Sequence, residues 1–436
     1  MVCRSGTRGR FSGELSELLI EYSEFSPQNR PLVSCQKTDQ RTVPWHLKDE
    51  VPMMFNVSLL REKYREFRNY TKEYDAPGLT CFTLYVYYFL RYGCSVRQLF
   101  ELKLYESREN RRNYVRTTKG FDRSWTYASE IYGSDRTSAW KRIHYLDFSL
   151  SRLFYPGLDA IDYYSYRFYE FRHEKRKTFI TRGRFFQMSK LFNPGNKRMV
   201  SNKAEFNRTF RKYVTRRWIE TENTAKEEFL AFCRQFSKVI AKPLSKQKGQ
   251  GIFLADTDTD EHILGLYEKV KGKKYLVEEI VRQHEALSSL NRDSVNTIRV
   301  NSVYKDGITT ITSAVLRMGN GNKPTDNFSA GGIVSSIDLK TGIVISPAID
   351  NMNREFIIHP GSGTQIIGFR IPEWDKVLAT VAEAHQLIPD LRYIGWDVVV
   401  TGDGGITFME ANTQSGVLLQ QGPMLQGKKQ MYDAFL

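Results

Sequence analysis

The sequence is poor in the residues that build disulfide frameworks and zinc sites. Its 436 residues include five cysteines and seven histidines. No two cysteines form a Cys-x-x-Cys pair, no histidine lies beside one at metal-ligand spacing, and the histidines show no close pairing among themselves. This pattern disfavours a disulfide scaffold or a zinc finger, and we expect free thiols in a reducing cytoplasm.

Long apolar runs are also missing. The nearest, Leu79 to Leu90, has twelve residues and stops at Arg91, whereas a membrane-spanning helix needs about 18 or more apolar residues. A buried helix or strand is the better interpretation of this run. The N-terminus lacks the apolar core and small-residue cleavage site of an export signal. The sequence therefore predicts a cytoplasmic protein without a transmembrane segment.

Acidic residues are scarce in the first half of the chain. Residues 1–220 hold 41 lysines and arginines against 24 acids, while residues 221–436 hold 23 against 25. The net charge of +15 is thus carried by the first half. A solvated basic face explains this, and so does an anionic partner such as an acidic substrate, a phospholipid or a nucleic acid. Charge alone does not separate these explanations.

Turn signals and changes of pattern divide the chain into four predicted regions. Residues 1–50 contain three prolines and no sustained period, which indicates a poorly organised segment. Residues 51–195 show a helical, basic and aromatic-rich pattern and end at an Asn-Pro-Gly turn signal. Beyond it, short β-branched runs alternate with turns and helices, which predicts an α+β fold with mainly antiparallel sheets over residues 196–285 and 286–436.

The stretch "GWDVVVTGDGGITFMEAN" places two carboxylates in an apolar hairpin. If its Asp-Gly dipeptide centres the turn, Thr401 pairs with Ile406. Asp397 then lies opposite Glu410, and side-chain alternation brings Asn412 to the same face. Because like charges directly opposite each other are destabilising, a cation such as Mg²⁺ is expected between them. A solvent-facing hairpin with ordinary acids is the alternative, which the apolar flanks disfavour.

Two segments upstream have the chemistry of a nucleotide site. Glycines at 249 and 251 let backbone N–H groups approach phosphate oxygens, and Lys242 and Lys248 can add positive charge. The apolar strand before Glu278 and Glu279 can supply a slot and backbone groups for an adenine. Each segment has a plain alternative, a hairpin for the first and an edge strand with exposed acids for the second.

Two further segments are candidates for contacts with phosphate or substrate. The strand "NTIRVNSV" places Thr297, Arg299 and Asn301 on one face, and an arginine on a polar sheet face can clamp phosphates. The loop "KPTDNFSAGGIV" is either a substrate loop or a simple turn.

The order of these segments resembles the ATP-grasp superfamily, and more closely the sugar-transfer-associated ATP-grasp family. The resemblance spans roughly residues 85–425. The closer resemblance is carried by the stretches "DNFSAGGIVSSIDLKTG", "HPGSGTQIIGFRIPEW" and "YIGWDVVVTGDGGITFMEANTQSG". It implies an α+β ATP-grasp fold, with two subdomains that grip ATP, after a mainly helical N-terminal region.

The resemblance implies how ATP would be held. Lys203 and Lys242 match the two lysines that hold its phosphates. The loop that closes over the phosphates, next to Lys248, matches Gly249, Gln250 and Gly251. The adenine hinge matches Glu278, Glu279, Ile280 and Val281. Backbone contacts to the adenine are expected from Glu279 and Val281. Glu285 matches the carboxylate that holds the ribose hydroxyls in D-alanine–D-alanine ligases.

The resemblance also implies a metal and an acceptor side. Asp397, Glu410 and Asn412 match Mg²⁺ ligands, and Asn327 resembles the loop residue nearest the acceptor in glutathione synthetase-like members. Several members carry an arginine two residues before the metal aspartate, where this chain has Gly395. Arg299 or Arg317 would have to reach the transferring phosphate instead, and the sequence leaves open which one does.

The implied chemistry is carboxylate activation. ATP phosphorylates a carboxylate to an acyl phosphate, and an amine or other nucleophile then displaces phosphate to form an amide. No protein nucleophile is required, in keeping with the lack of a Ser/His/Asp or Cys/His arrangement. His359 is a candidate substrate-side group, although a loop or core histidine explains it as well.

Three hypotheses follow from the sequence. The first is an ATP- and Mg²⁺-dependent carboxylate–amine ligase in cell-surface polysaccharide or peptide biosynthesis, with an anionic sugar or a peptide as acceptor. The second is an ATP-grasp phosphotransferase that leaves phosphate on its acceptor. The third is a non-enzymatic polyanion binder, with nucleic acid among the partners that the basic half leaves open.

Overall fold

The described part of the chain covers most of its second half and little of its first. The structure, a computed structural model, describes residues 125, 144, 147–148, 151–152, 154–195, 197–244, 250–321 and 326–435. All of them belong to one of two compact units of the chain, Tyr64–Leu436. The predictions for residues 1–50 and for most of 51–195 lie outside these residues. In the described ranges, no helix is long and apolar enough to span a membrane.

The smaller of two sheets has four antiparallel strands in the order β1-β4-β2-β3. Its strands are β1 (Trp218–Glu220), β2 (Lys238–Pro243), β3 (Phe253–Asp256) and β4 (Tyr275–Glu279). The helices Lys226–Cys233 and Asp260–Val270 cover one face. The second helix begins where the Thr259 hydroxyl accepts a hydrogen bond from the His262 N–H, and acids fill its first turn.

The larger sheet has seven strands, all antiparallel, in the order β11-β10-β5-β6-β7-β8-β9. Its strands are β5 (Thr297–Lys305), β6 (Ile308–Met318), β7 (Ile333–Ile337), β8 (Ala348–Ile349), β9 (Glu355–Phe356), β10 (Tyr393–Val400) and β11 (Ile406–Asn412). Two antiparallel sheets with helices confirm the predicted α+β class.

The two faces of the larger sheet differ because side chains alternate along each strand. Ile298, Val300, Trp396 and Val398 point to a core beneath the helix Trp374–His385. The odd-numbered residues of the same strands, including Arg299 and Asp397, point to the opposite, polar face. The predicted division of β5 into an apolar and a polar face is confirmed, and the polar face carries the candidate site.

The remaining helices lie around this sheet and between the two sheets. They are the 3₁₀ turns Phe168–Glu170 and Phe328–Ala330 and the α-helices Ala160–Ser165, His173–Arg176, Arg182–Phe192, Arg198–Ser201, Lys203–Thr209, Glu285–Leu290, Leu418–Gln421 and Lys429–Asp433. Phe192 of one helix packs against Tyr393 of β10 and Tyr432 near the C-terminus. Asn193 adds two hydrogen bonds to the Tyr393 backbone, at 2.7 and 2.9 Å. These contacts fix the end of this helix against β10.

The β10–β11 hairpin pairs Asp397 with Glu410, as predicted. The pairing nearer the turn is wrong by one residue, because Ile406 pairs with Val400 rather than Thr401. The Thr401 N–H donates to the Gly405 carbonyl at 2.9 Å, which leaves three residues in the turn instead of two. A β-bulge at Met409 then restores the register before the two acids.

Candidate active site

The two hairpin acids share one face but differ in their surroundings. Asp397 is buried, whereas the Glu410 side chain is exposed. The Asn412 Nδ2 donates to Glu410 Oε1 at 3.1 Å. Burial among protein atoms, followed by the charge of Asp397, raises the pKa of Glu410. The Glu410 side chain therefore reaches solvent although many protein atoms lie around it.

Both candidate arginines contact Asp397. Arg299 lies opposite Asp397 in the register of β5 and β10, and its Nη2 donates to Asp397 Oδ2 at 2.7 Å, while its Nε donates to Oδ1. Arg317 Nη1 also donates to Oδ2 at 2.7 Å. Burial alone would raise the pKa of Asp397, but the two guanidinium groups outweigh it and hold this pKa well below its usual range.

The structure explains why position 395 has no side chain. A Cβ atom at Gly395 would lie 2.2 Å from the Ser415 Cβ and 2.8 Å from Asn301 Oδ1. An arginine therefore does not fit there. Ser415 Oγ instead accepts a hydrogen bond from Arg299 Nη1 at 3.1 Å. The arginines of this site come from the neighbouring strands β5 and β6.

A third acid, Asp326, belongs to the same network and was missed by the sequence analysis. Its Oδ1 accepts from Arg317 Nη2 at 3.2 Å, and its Oδ2 accepts from the Thr297 N–H at 3.1 Å and from the Thr297 hydroxyl. Burial raises the pKa of Asp326, and the charge of Arg317 acts against that rise. The sequence could have pointed to Asp326 as a site residue, because it directly precedes Asn327 in the polar loop.

Asn327 begins a tight turn at the edge of this network. Its carbonyl accepts from the Gly332 N–H at 3.1 Å, and its side-chain Oδ1 accepts from Ser329 Oγ at 3.3 Å. A Cβ atom at Gly332 would lie 2.4 Å from the Asp326 carbonyl oxygen. The loop therefore folds back closely on Asp326, which places Asn327 beside the arginine network.

The two candidate phosphate lysines lie near the end of β2. Lys203 is the first residue of a helix that Asn202 caps through the N–H groups of Ala204 and Glu205. Its Nζ donates to the Pro243 carbonyl at 3.0 Å, and Lys242 Nζ lies 2.5 Å from Glu278 Oε2. Burial lowers the pKa of Lys203, while Glu410 acts against that shift. Lys203 is thus within electrostatic range of the acid end of the site.

The Glu278 side chain is fully buried and is held by three polar side chains. Besides Lys242, it accepts hydrogen bonds from Arg216 Nε at 2.9 Å and Asn207 Nδ2 at 3.1 Å. Burial would raise its pKa, but the charges of Arg216 and Lys242 lower it to about 2. A contact between Glu278 and a nucleotide would therefore have to come from its backbone.

Arg216 connects the smaller sheet to the hairpin, and no sequence signal marked it. It pairs with Glu278 of β4 at 2.8 Å. Its Nη1 donates to the Phe408 carbonyl, and its Nη2 lies 3.5 Å from the Met409 carbonyl oxygen. These carbonyls flank the β-bulge, so one guanidinium joins the candidate adenine strand to the strand that carries Glu410.

The other residues predicted to contact the nucleotide differ in their environments. Glu279 pairs with Arg217 at 3.2 Å, and Ile280 and Val281 follow β4 outside any strand. Glu285 is exposed at the first turn of its helix. Gln250 and Gly251 lie between β2 and β3, Gly251 with a φ of 75° that favours glycine. Lys248 and Gly249 lie outside the described residues.

His359 has a structural environment. It is buried, its Nε2 donates to the Gly319 carbonyl at 2.8 Å, and its Nδ1 accepts from the Gly361 and Ser362 N–H groups, both at 3.2 Å. Both ring nitrogens are therefore occupied by backbone groups. This favours the loop-histidine interpretation over a substrate-side role.

The donors at the acid end are compatible with a hard cation. In the described ranges, no group of three His, Cys, Asp or Glu side chains is placed to hold a metal. Asp397, Glu410 and Asn412 offer two carboxylates and one amide oxygen, the ligand types that Mg²⁺ prefers. Asp397 accepts three guanidinium N–H bonds of the roughly four that a carboxylate can take. The pKa of Glu410 is raised by burial and then by the negative charge of Asp397, so Glu410 is the acid that a cation would stabilise more.

Comparison with protein families identifies the family of this chain. Residues 196–431 match the family described as sugar-transfer associated ATP-grasp. The chain belongs to this family. Its two antiparallel sheets, joined through Arg216 and the helix Lys203–Thr209, are those of an ATP-grasp fold. A comparison with curated proteins finds no match.

Several solved structures are similar over about half of this ATP-grasp chain. One is an N5-carboxyaminoimidazole synthase from Aspergillus clavatus with ADP and 5-aminoimidazole ribonucleotide (11% identity, TM-score 0.32, 50% of this chain and 45% of that chain). Another is the ATP-grasp ligase PsnB with minimal precursor, Mg and ADP (14%, 0.34, 54% and 57%). A third is D-alanyl-alanine synthetase A from Vibrio cholerae (14%, 0.31, 50% and 56%). The chain thus spans about half the length of these proteins.

Proposed function

We propose that the protein is an ATP- and Mg²⁺-dependent ligase that joins a carboxylate to an amine or another nucleophile. The observation that carries the proposal is the grouping of cations and acids on the polar face of the larger sheet. Arg299 and Arg317 converge on Asp397, Glu410 lies opposite Asp397, and Lys203 lies within electrostatic range of Glu410. In a member of an ATP-grasp family, this grouping of cations and acids supports a site for a nucleoside triphosphate and a metal.

In this proposal, the smaller sheet and its neighbours hold the nucleotide. Lys203 and Lys242 bind the phosphates as point charges, with Lys248 and the loop of Gly249, Gln250 and Gly251 closing over them. The backbone from Glu278 to Val281 binds the adenine, and Glu285 binds the ribose. The buried Glu278 carboxylate holds Lys242 through their 2.5 Å contact.

The larger sheet carries the reacting groups. Asp397, Glu410 and Asn412 would hold Mg²⁺, which supplies charge neutralisation at the phosphates when bound. Arg299 and Arg317 stabilise the negative charge that develops on the transferring phosphoryl group. The γ-phosphoryl group moves from ATP to the substrate carboxylate, and ADP is the leaving group. The nucleophile then attacks the acyl carbon, and phosphate leaves as the amide forms.

In this proposal the acceptor approaches the end of the site at Asn327. Asn327 lies beside the arginine network, where an acceptor carboxylate or amine would approach. The basic first half of the chain favours an anionic acceptor. We therefore place the reaction in the biosynthesis of a cell-surface polysaccharide or peptide, with an acidic sugar or a peptide as the acceptor.

An ADP-release screen over amino acids, short peptides and acidic sugars tests this function when the masses of the products are measured. Free phosphate with a new amide supports the ligase. A stable phosphorylated acceptor would instead make the protein a phosphotransferase. Failure to bind MgATP in calorimetry, together with salt-dependent binding of nucleic acid, would make it a polyanion binder.

The matched variants for this screen lie on one hairpin. Glu410→Gln removes a candidate metal ligand, and we expect ADP release to fall at least about 100-fold. Asp403→Asn changes an exposed acid in the turn of the same hairpin, where an asparagine can still accept from the Gly405 N–H. We expect Asp403→Asn to retain wild-type activity. Equal activity of both variants would refute the metal assignment.

A further inference from the structure

We propose that Asp326 is a positioning residue that fixes Arg317 for phosphoryl transfer. The inference rests on the proposed function and adds to it a residue outside the metal, phosphate and adenine sets. Among the described residues proposed to bind ATP or metal, Asp326 forms a hydrogen bond with Arg317 alone. Its role would be to decide where the second arginine points.

The first reason is the geometry of the Arg317 guanidinium. Its Nη1 is bound to Asp397 at 2.7 Å and its Nη2 to Asp326 at 3.2 Å, while its buried Nε has no hydrogen-bond partner. A planar guanidinium held at two nitrogens by two carboxylates has a defined plane and direction. Without Asp326, a single anchor remains, and the group can rotate about it.

The second reason is that Asp326 is itself held in place. Thr297 donates to Asp326 Oδ2 from both its N–H and its hydroxyl. Thr297 is also the cross-strand partner of Arg317 in the pairing of β5 and β6. All three residues are buried. Thr297, the cross-strand neighbour of Arg317, therefore holds Asp326 in the position from which it orients Arg317.

The third reason is the contrast between the two arginines. Arg299 is held by both oxygens of Asp397 and by Ser415 Oγ, so its orientation does not depend on Asp326. Asp397 is shared between both arginines and is a candidate metal ligand. Among the described residues, Asp326 is the carboxylate that binds Arg317 but not Arg299. Its loss should therefore act on one arginine selectively.

A competing role for Asp326 is to hold its own loop, because the backbone of Asn327 and Gly332 folds against it. A double-mutant cycle separates the two roles. If Asp326 acts through Arg317, then Asp326→Asn has little further effect once Arg317→Gln has removed the guanidinium. If it acts through the loop, the two losses multiply.

The experiment measures ADP release from MgATP with the acceptor found in the screen, for both single variants and the double variant. We expect each single variant to lower kcat about 100-fold, with the KM for ATP and the calorimetric affinity for MgADP changed less than about threefold. We expect the double variant to lie within about threefold of Arg317→Gln. Thr297→Val, which removes the hydroxyl contact alone, should cause a smaller loss of kcat that also disappears beside Arg317→Gln.

The matched control is Asp350→Asn. Asp350 is also a buried loop acid, bound to the Arg354 side chain at 2.7 Å and to two backbone N–H groups at 2.9 Å. It lies outside the site, so this variant should keep wild-type kcat. If the wild type is active and the kcat losses of Asp326→Asn and Arg317→Gln multiply in the double variant, the inference is wrong while the proposed function stands. The same holds if Asp350→Asn loses as much kcat as Asp326→Asn. A wild-type protein that binds no MgATP would overturn the proposed function, and the inference with it.

Discussion

At the scale of single residues, the two hairpin acids face each other and yet have opposite electrostatic environments. Arginines lower the pKa of Asp397, whereas burial and the Asp397 charge raise the pKa of Glu410. The arginines outweigh the cost of burial at Asp397, whereas at Glu410 they act in the same direction without outweighing it. Glu410 is therefore the acid that a bound cation would stabilise more.

This asymmetry predicts opposite effects of the two amide variants on stability. Glu410→Gln removes an unfavourable charge, so the free energy of unfolding should stay the same or rise although activity is lost. Asp397→Asn leaves Arg299 and Arg317 buried without their shared carboxylate and should destabilise by about 3–5 kcal/mol. Urea denaturation at neutral pH measures both, and a larger loss of stability in Glu410→Gln would contradict the assignment.

A second prediction at this scale concerns Gly395. Gly395→Ala should lower stability by about 1–3 kcal/mol, because its new methyl group would overlap Ser415 and Asn301. Activity should fall as well, because Ser415 also binds Arg299. Gly416→Ala is the control, since no atom lies within 4 Å of a Cβ atom there. Thermal unfolding compares the stability of the two variants. If Gly395→Ala were as stable and as active as the wild type, Ser415 would not pack against Gly395 as closely as described.

At the scale of secondary-structure elements, the two sheets are joined by buried charge. Arg216 binds Glu278 of β4 and carbonyl groups of β11. Lys203, at the start of the helix between them, reaches the carbonyl at the end of β2. A change in the distance between the sheets would have to break these contacts, so they hold the two sheets in a fixed relation.

Glu278→Gln tests this joint through pH. The folded-state pKa of Glu278, about 2, lies below its ordinary value of 4.5, so its contribution to stability is complete above pH 4.5 and is lost as pH falls towards 2. We expect the variant to lose about 3–5 kcal/mol at pH 7 and to show less loss of stability than the wild type between pH 4.5 and 3. Glu279→Gln, on a partly exposed pair with Arg217, should change stability by less than about 1 kcal/mol. Denaturation curves at pH 7, 4.5 and 3 measure these differences. If the free energy of unfolding of Glu278→Gln fell as much between pH 4.5 and 3 as that of the wild type, this would count against the role of Glu278.

At the scale of the whole molecule, residues from distant parts of the chain pack beside the candidate site. Tyr393 of β10 is buried in an aromatic cluster with Phe185, Phe192 and Tyr432. Its hydroxyl donates to the Ser415 carbonyl at 2.8 Å. The segment before residue 196 therefore takes part in the packing that supports Ser415 and, through it, Arg299.

Phe192→Ala should consequently lower the stability of the entire ATP-grasp unit. A buried phenylalanine replaced by alanine costs about 3–5 kcal/mol, and Phe192 is fully buried. Phe186→Ala, in the same helix but 46% exposed, should cost well below half of that. Chemical denaturation followed by tryptophan fluorescence measures both, because Trp396 lies in the core of the larger sheet. Equal costs would show that the helix does not support the sheet.

The sequence predicted those parts of the site that depend on local periodicity. Alternation along β5 and the length of the β10–β11 hairpin placed Arg299 on the polar face and Asp397 opposite Glu410. Arg216 and Asp326 were not predictable in this way. Arg216 finds Glu278 62 residues away, and Asp326 lies in a loop without a period, from which it reaches Arg317 across nine residues and Thr297 across 29. The choice between Arg299 and Arg317 could not be made either, since adjacent strands bring both to one carboxylate.

The β-bulge at Met409 decides which residue of β11 lies opposite Asp397. With the three-residue turn and a regular ladder, Asp397 would lie opposite Met409. Because Met409 is left unpaired, the register moves by one residue and Asp397 lies opposite Glu410. A two-residue turn and an unbroken ladder would bring the same two acids together. That regular hairpin would, however, give the Phe408 and Met409 carbonyls other partners or directions, and Arg216 would lose its hold on β11. The β-bulge thus keeps Asp397 opposite Glu410. At the same position it presents the Phe408 and Met409 carbonyl groups to Arg216, which joins one sheet to the other.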